Sequence, residues 1–135
     1  PETFNALATK PKYTFITVAD GRANGVIGYT FGVDYEDKVN YDNGVVFRST
    51  GGTNKWFCTR TRLVLLLGGI ESTKATWTRL GDYERITITL NGGSIIVRKY
   101  NRDGTGALTT LASISDVTLQ TETIHGIFQR YALGT

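Results

Sequence analysis

The side chains able to do acid–base or nucleophilic chemistry in this chain are few: one histidine, one cysteine and twelve carboxylates. His125 sits beside Gly126 and Ile127 in a strand-like run, with no serine or cysteine at a spacing known from catalytic triads, so it reads as a core or edge histidine. Cys58 shares its run with Trp56 and reads as a small buried thiol rather than a nucleophile. Asp34, Glu36, Asp37 and Asp42 gather in one loop, but glycosidase chemistry needs two carboxyl groups held about 5 to 9.5 Å apart, one of them with a raised pKa. Nothing in the spacing supplies that, and clustered acids in a Tyr- and Asn-rich loop are solvated as a rule. The expectation is therefore a protein that is not an enzyme.

Ligand binding fits the composition better. A sugar ring has one apolar face and many hydroxyls, so its site needs an exposed aromatic ring flanked by short polar groups. Trp77 beside Arg79 on a Thr-rich run, and Tyr35 and Tyr41 amid Asp37 and Asp42 in the longest polar loop, are the candidates for such a site. Trp56 is the weaker candidate, because its neighbours suit the core. Lys55, Trp56, Phe57, Arg60 and Arg62 combine rings and cations as single-strand nucleic-acid binders do, yet a binding barrel asks for a second such strand, and only Trp77 and Arg79 add to it. The net charge of +3 is mild and the basic residues form no run, so nucleic acid is not the preferred partner. Two loops, Asp20 to Gly25 and Asn101 to Gly106, have a calcium-like composition but lack the twelve-residue spacing and closing glutamate of an EF-hand. Turn chemistry accounts for them, no phosphate-cradling motif occurs, and the expectation is neither metal nor cofactor.

These side chains need a scaffold, and the pattern points to β-strands. Threonine and glycine are heavily used and no sustained helical period appears. At 135 residues the chain is long enough for a single core without disulfide or metal. One cysteine allows no internal disulfide, and no apolar run approaches the roughly 18 residues of a membrane helix. Methionine is absent even at position 1, which suggests a processed chain or an excised piece of a longer one.

The strongest local signal is a hairpin from Tyr83 to Tyr100. A turn at Asn91-Gly92 sets Ile88 opposite Ile95, Ile86 opposite Val97 and Glu84 opposite Lys99. A longer loop over Asn91 to Ser94 keeps the same faces, whereas a three-residue loop sets Ile86 against Arg98 and is rejected. The face bearing Arg85, Thr87, Thr89, Ile96 and Arg98 is ambiguous, with Ile96 suggesting partial cover. Ile27, Tyr29, Phe31, Val33 and Tyr35 form one face of a second strand, opposed by the small Gly28, Thr30, Gly32 and Asp34.

Elsewhere Tyr13 to Val18 and Val45 to Arg48 read as strands, with Asn43-Gly44 as a turn between loop and strand. Lys55 to Leu67 is too long for one strand and should bend near Thr61 or Arg62. Its last five residues, Leu63 to Leu67, are apolar on both faces, which suits the centre of a sandwich or a subunit contact. Lys74 to Leu80 reads as a strand, Ala107 to Leu119 as two strands parted near Ser113, and Ile124 to Leu133 as the last. About nine or ten short strands with regular turn signals predict an all-β antiparallel sandwich. The domain is expected over residues 12–135, behind a leader at 1–11 where Thr3, Phe4, Leu7 and Ala8 could form a short helix before Pro11.

Taken whole, the Phe4-Asn5-Ala6-Leu7-Ala8-Thr9-Lys10-Pro11 leader followed by a Thr- and Gly-rich β-domain to Thr135 resembles the distal receptor-binding domain of a tailed-phage tail fibre or spike, of jelly-roll (tumour-necrosis-factor/C1q-like) type. The resemblance carries no diagnostic motif, so no functional residue is transferred with it. It implies a homotrimer at the virion surface, joined to an upstream stalk of its own polypeptide, that recognises cell-surface carbohydrate. The alternatives are an assembly domain for trimerisation or decoration, or a single-stranded nucleic-acid-binding barrel.

Overall fold

The computed structural model describes residues 22–32, 42–100 and 108–130, and every regular element among them is a β-strand. In chain order these are β1 (Gly25–Thr30), β2 (Asp42–Ser49), β3 (Lys55–Thr59), β4 (Arg62–Leu67), β5 (Ile70–Thr76), β6 (Arg85–Asn91), β7 (Ser94–Tyr100), β8 (Thr109–Ser115) and β9 (Ile124–Arg130). They form two antiparallel sheets, of order β1-β6-β7-β8 and β5-β4-β3-β2-β9, facing each other as the expected all-β sandwich. The chain changes sheet between β1 and β2, between β5 and β6 and between β8 and β9. Among the described strands the connectivity is thus two facing meanders, where a jelly roll crosses between its sheets at most connections. The leader helix at 1–11, the strand Tyr13 to Val18 and the loop Asn101 to Gly106 lie outside the described residues.

Alternation decides which residues meet between the sheets. Ile27 and Tyr29 from β1 and Phe31 just after it, Ile86, Ile88 and Leu90 from β6, and Ile95 and Val97 from β7 are buried against Val45, Phe47, Trp56, Cys58, Leu63 and Leu65 of the other sheet. Each such side chain contributes about 1.5–3 kcal/mol by leaving water. Trp56 stacks on Phe47 with centroids 6.0 Å apart and donates its indole N–H to the carbonyl of Thr118 at 2.9 Å, so it is core. Leu63, Val64 and Leu65 are buried in β4, one strand in from the edge, while Leu67 is exposed where the strand runs out of the sandwich.

The β6–β7 hairpin forms with a register two residues from the favoured one. Asn91 pairs with Ser94, Leu90 with Ile95, Ile88 with Val97 and Ile86 with Lys99, which is the register of the longer loop. Gly92 and Gly93 make the turn, and Gly92 has a φ of +57° at the first central position, where mirror-image hairpin turns require a positive value. A shift of two leaves every side chain on its expected face, so the core residues are unchanged. Glu84 and Lys99 still meet diagonally at 3.6 Å. On the ambiguous face Arg85 and Thr87 are buried and Ile96 is half-buried.

Other boundaries move for local reasons. Asn43-Gly44 is not a turn: both residues belong to β2, and Gly44 is required because a Cβ there would fall 1.8 Å from the carbonyl oxygen of Cys58 on β3. The bend expected near Thr61 is a full reversal, with Phe57 paired to Val64 and Cys58 to Leu63 across β3 and β4. Gly68 and Gly69, with φ of +57° and +84°, form a two-residue turn that starts β5 at Ile70. The strand expected at Lys74 to Leu80 therefore runs earlier, and its residues Ile70 to Lys74 are all exposed, so no alternation marks them. Finally, the segment expected as two strands parted at Ser113 is the single strand β8, whose register against β7 slips between Val97 and Arg98.

Candidate ligand-binding end of the sandwich

Arg60 organises one end of the molecule. It sits in the β3–β4 reversal, continues the inward parity of Trp56 and Cys58, and is 2% exposed. Its guanidinium donates from Nε to Asn43 Oδ1 (3.0 Å), from Nη1 to the carbonyls of Leu80 (3.2 Å) and Gly81 (3.0 Å), and from Nη2 to the carbonyl of Gly32 (3.0 Å). Its Cζ lies 4.9 Å from the centroid of Phe31, a cation–π contact. Asn43 also reaches the Tyr29 hydroxyl at 3.4 Å, and Tyr29 and Phe31 meet edge to face at 4.8 Å. One fork-shaped cation thus joins the end of β1, the start of β2 and the connection between β5 and β6.

Trp77 belongs to that connection rather than to a strand. Its main-chain N–H donates to the carbonyl of Thr61 (2.9 Å) and its indole Nε1–H to the carbonyl of Arg60 (2.8 Å). The ring is half-buried against the core, while Thr76, Thr78 and Arg79 beside it are exposed. Leu80 closes the segment, buried, with its N–H also on the Arg60 carbonyl at 3.0 Å.

Of the other candidate ligand residues, Tyr35, Asp37 and Tyr41 lie outside the described residues, and Asp42 is placed by its backbone as the first residue of β2. Gly32 and Asn43, the described residues that flank them in the sequence, are both bonded to Arg60.

The remaining reactive groups are far apart. Cys58 is fully buried, and desolvation pushes its thiol pKa well above the ordinary range. Strand β2 lies between it and His125, which is a half-buried residue of the edge strand β9. Asp34 and Glu36 lie outside the described residues. Among the described residues no group of three or more His, Cys, Asp or Glu side chains converges as metal ligands do. On the strand with the nucleic-acid flavour both rings are buried, Trp56 between the sheets and Phe57 on the opposite face of β3, and Arg60 is buried too, so it offers bases no stacking surface.

The buried arginines Arg48, Arg60 and Arg85 are what sequence reasoning missed. For Arg60 a signal existed, since it shares the parity of Trp56 and Cys58. Arg48 gave none, because its position depends on an irregularity between β2 and β9. Comparisons with family models, with curated proteins and with solved structures return no match.

Proposed function

We propose that this domain is a non-enzymatic attachment module whose Arg60 end recognises carbohydrate. The observation that carries this reading is the seating of Trp77. Its polar edge is used up on the Arg60 carbonyl, so the part of the ring left in solvent is apolar, with exposed Thr76, Thr78 and Arg79 as hydrogen-bonding neighbours. That is the combination of flat apolar face and short polar groups a sugar needs. Tyr35, Asp37, Tyr41 and Asp42 are counted with the site on their residue types, as rings amid short polar groups. The setting at the tip of a viral fibre or spike rests on the resemblance of the sequence.

Glycan-array binding by the folded domain, compared with Arg79→Ala and Trp77→Phe, tests the reading. Phenylalanine keeps a ring but gives up the anchoring N–H. Binding at least tenfold weaker in Arg79→Ala, with unchanged melting, is the expected result; no binding to any glycan or cell surface removes it.

A second reading, an assembly domain, is favoured by apolar side chains exposed on the strands that end a sheet among the described residues: Ile124 (51%) and Ile127 (59%) on β9 and Ile70 (75%) on β5. Edge strands with apolar residues are where a further chain adds on. Mass in solution tests this second reading, since it requires an oligomer, and a monomer at micromolar concentration excludes it.

A further inference from the structure

The irregularity in β2 creates a hydrogen-bonding problem that one side chain resolves. Val46 pairs with Gly126 and Ser49 with Ile124, so Phe47 and Arg48 together oppose the single residue His125. The amide of a bulged residue has no ladder partner. Here the Arg48 N–H donates to Nδ1 of His125 at 3.1 Å, while Nε2 of the same ring lies 2.7 Å from the carbonyl oxygen of Arg22. The first contact needs a lone pair on Nδ1 and the second a proton on Nε2. Only the neutral Nε2–H tautomer supplies both, because an imidazolium is a donor at each nitrogen.

The surroundings make a second positive charge unwelcome. Arg48 is fully buried with a φ of +47°. It donates from Nε to the Ala23 carbonyl and from Nη2 to Asn24 Oδ1, both at 3.1 Å, and Nη1 has no hydrogen-bond partner. Burial pushes its pKa down. The same Asn24 oxygen accepts the Gly92 N–H at 2.9 Å, so this cluster ties β2 to the β6–β7 hairpin of the facing sheet. Arg48 on β2 and Arg22 on the incoming segment are the charged residues bonded through their main chains to His125, while Asp42 of β2 and Arg130 of β9 pair with each other at the far ends of those strands. Glu122, three residues before it in its own segment, forms no ion pair with it.

We propose that His125 is an acid-sensitive latch on the bulge. Protonation at Nδ1 breaks the bond to the Arg48 amide, sets a cation beside a buried arginine, and frees the start of β9 from β2, while Nε2–H keeps its bond to the Arg22 carbonyl.

The test needs only the folded domain labelled with ¹⁵N. At neutral pH the ring nitrogens are expected to show the Nε2–H tautomer. As the pH falls through the range where imidazoles take up a proton, the protection factor of the Arg48 amide should drop by up to about tenfold per pH unit. In His125→Asn, whose Oδ1 takes the place of Nδ1 as a non-titrating acceptor, the protection should stay level. An Nδ1–H tautomer at neutral pH, constant protection in the unaltered chain, or the same decline in His125→Asn overturns the proposal. Should that variant fail to fold, the tautomer and the protection of the unaltered chain decide alone.

Discussion

The indole N–H of Trp77 ends on the main-chain carbonyl of Arg60, 2.8 Å away, while the guanidinium of that arginine holds main-chain carbonyls at Leu80, Gly81 and Gly32 and the side chain of Asn43. The surface ring and the buried cation are therefore one unit, and damage to the cation should be felt at the ring. Arg60→Ala is expected to lower stability by about 3–5 kcal/mol, since it leaves buried acceptors unmet in addition to losing the bonds. Arg60→Lys should recover less than half of that, because an ammonium cannot span Asn43, Gly32, Leu80 and Gly81 together. Urea denaturation checks both, and a loss below about 1 kcal/mol for the alanine variant contradicts the role given to Arg60.

Two glycines on adjacent strands separate close approach from mere openness. A Cβ on Gly44 would fall 1.8 Å from the Cys58 oxygen, whereas one on Gly126 meets nothing within 4 Å. Gly44→Ala should part β2 from β3 and cost about 3 kcal/mol or more, or prevent folding. Gly126→Ala should stay within about 1 kcal/mol of the parent. Similar melting temperatures for the two variants would contradict this.

Cys58 should resist thiol reagents in the folded protein. The side chain is fully buried and desolvation raises its pKa, so almost no thiolate exists at neutral pH and the reagent has no path to it. Labelling with a chromogenic disulfide is expected only when denaturant unfolds the chain; reaction in buffer at the rate of a free thiol would show that the sandwich opens there.

Asp116 should contribute to stability against acid. Burial alone would raise its pKa, but the side-chain and main-chain hydrogen bonds from Thr118 and the nearby Lys74, 3.7 Å from Oδ2, outweigh that and hold it below the ordinary carboxylate value. A carboxyl whose folded pKa is lowered stabilises the fold above its unfolded pKa, near 3.9, and loses that contribution as the pH falls through the folded value. Asp116→Asn should therefore cost stability at neutral pH, by under about 1 kcal/mol for a solvent-screened pair, and converge with the parent once the pH has fallen below the lowered folded value. Parallel stability curves over that range would exclude the assignment.

The faces of the strands were legible because burial imposes a period of two. Ile27, Tyr29, Phe31, Ile86, Ile88, Leu90, Ile95 and Val97 recur at every second position, with polar or small residues between them except for Ile96, and all of them lie between the sheets. The turn within the hairpin was less so, because Asn91-Gly92 and Gly92-Gly93 are both competent turns and a shift of two preserves every face. Strand β5 left almost no trace: it is an edge with solvent on both sides, so nothing selects alternating residues.

For the candidate site, the sequence marked Trp77 and Arg79 by residue type but placed them on a strand. Backbone bonds from Trp77 to Thr61 and from Leu80 to Arg60, which join segments distant in the chain, make that stretch a packed connection instead.

What this sequence determined by itself is an all-β chain, the inward face of most strands and the absence of a recognisable catalytic spacing, because these follow from side-chain type and near-neighbour order. The tertiary structure decided which polar groups are buried. Arg48 and Arg60 carry the most hydrophilic side chains in the chain, yet carbonyls and amide side chains from residues some 17 to 28 positions away hold them inside. No local pattern encodes such partners, since they exist only once two sheets have closed on each other.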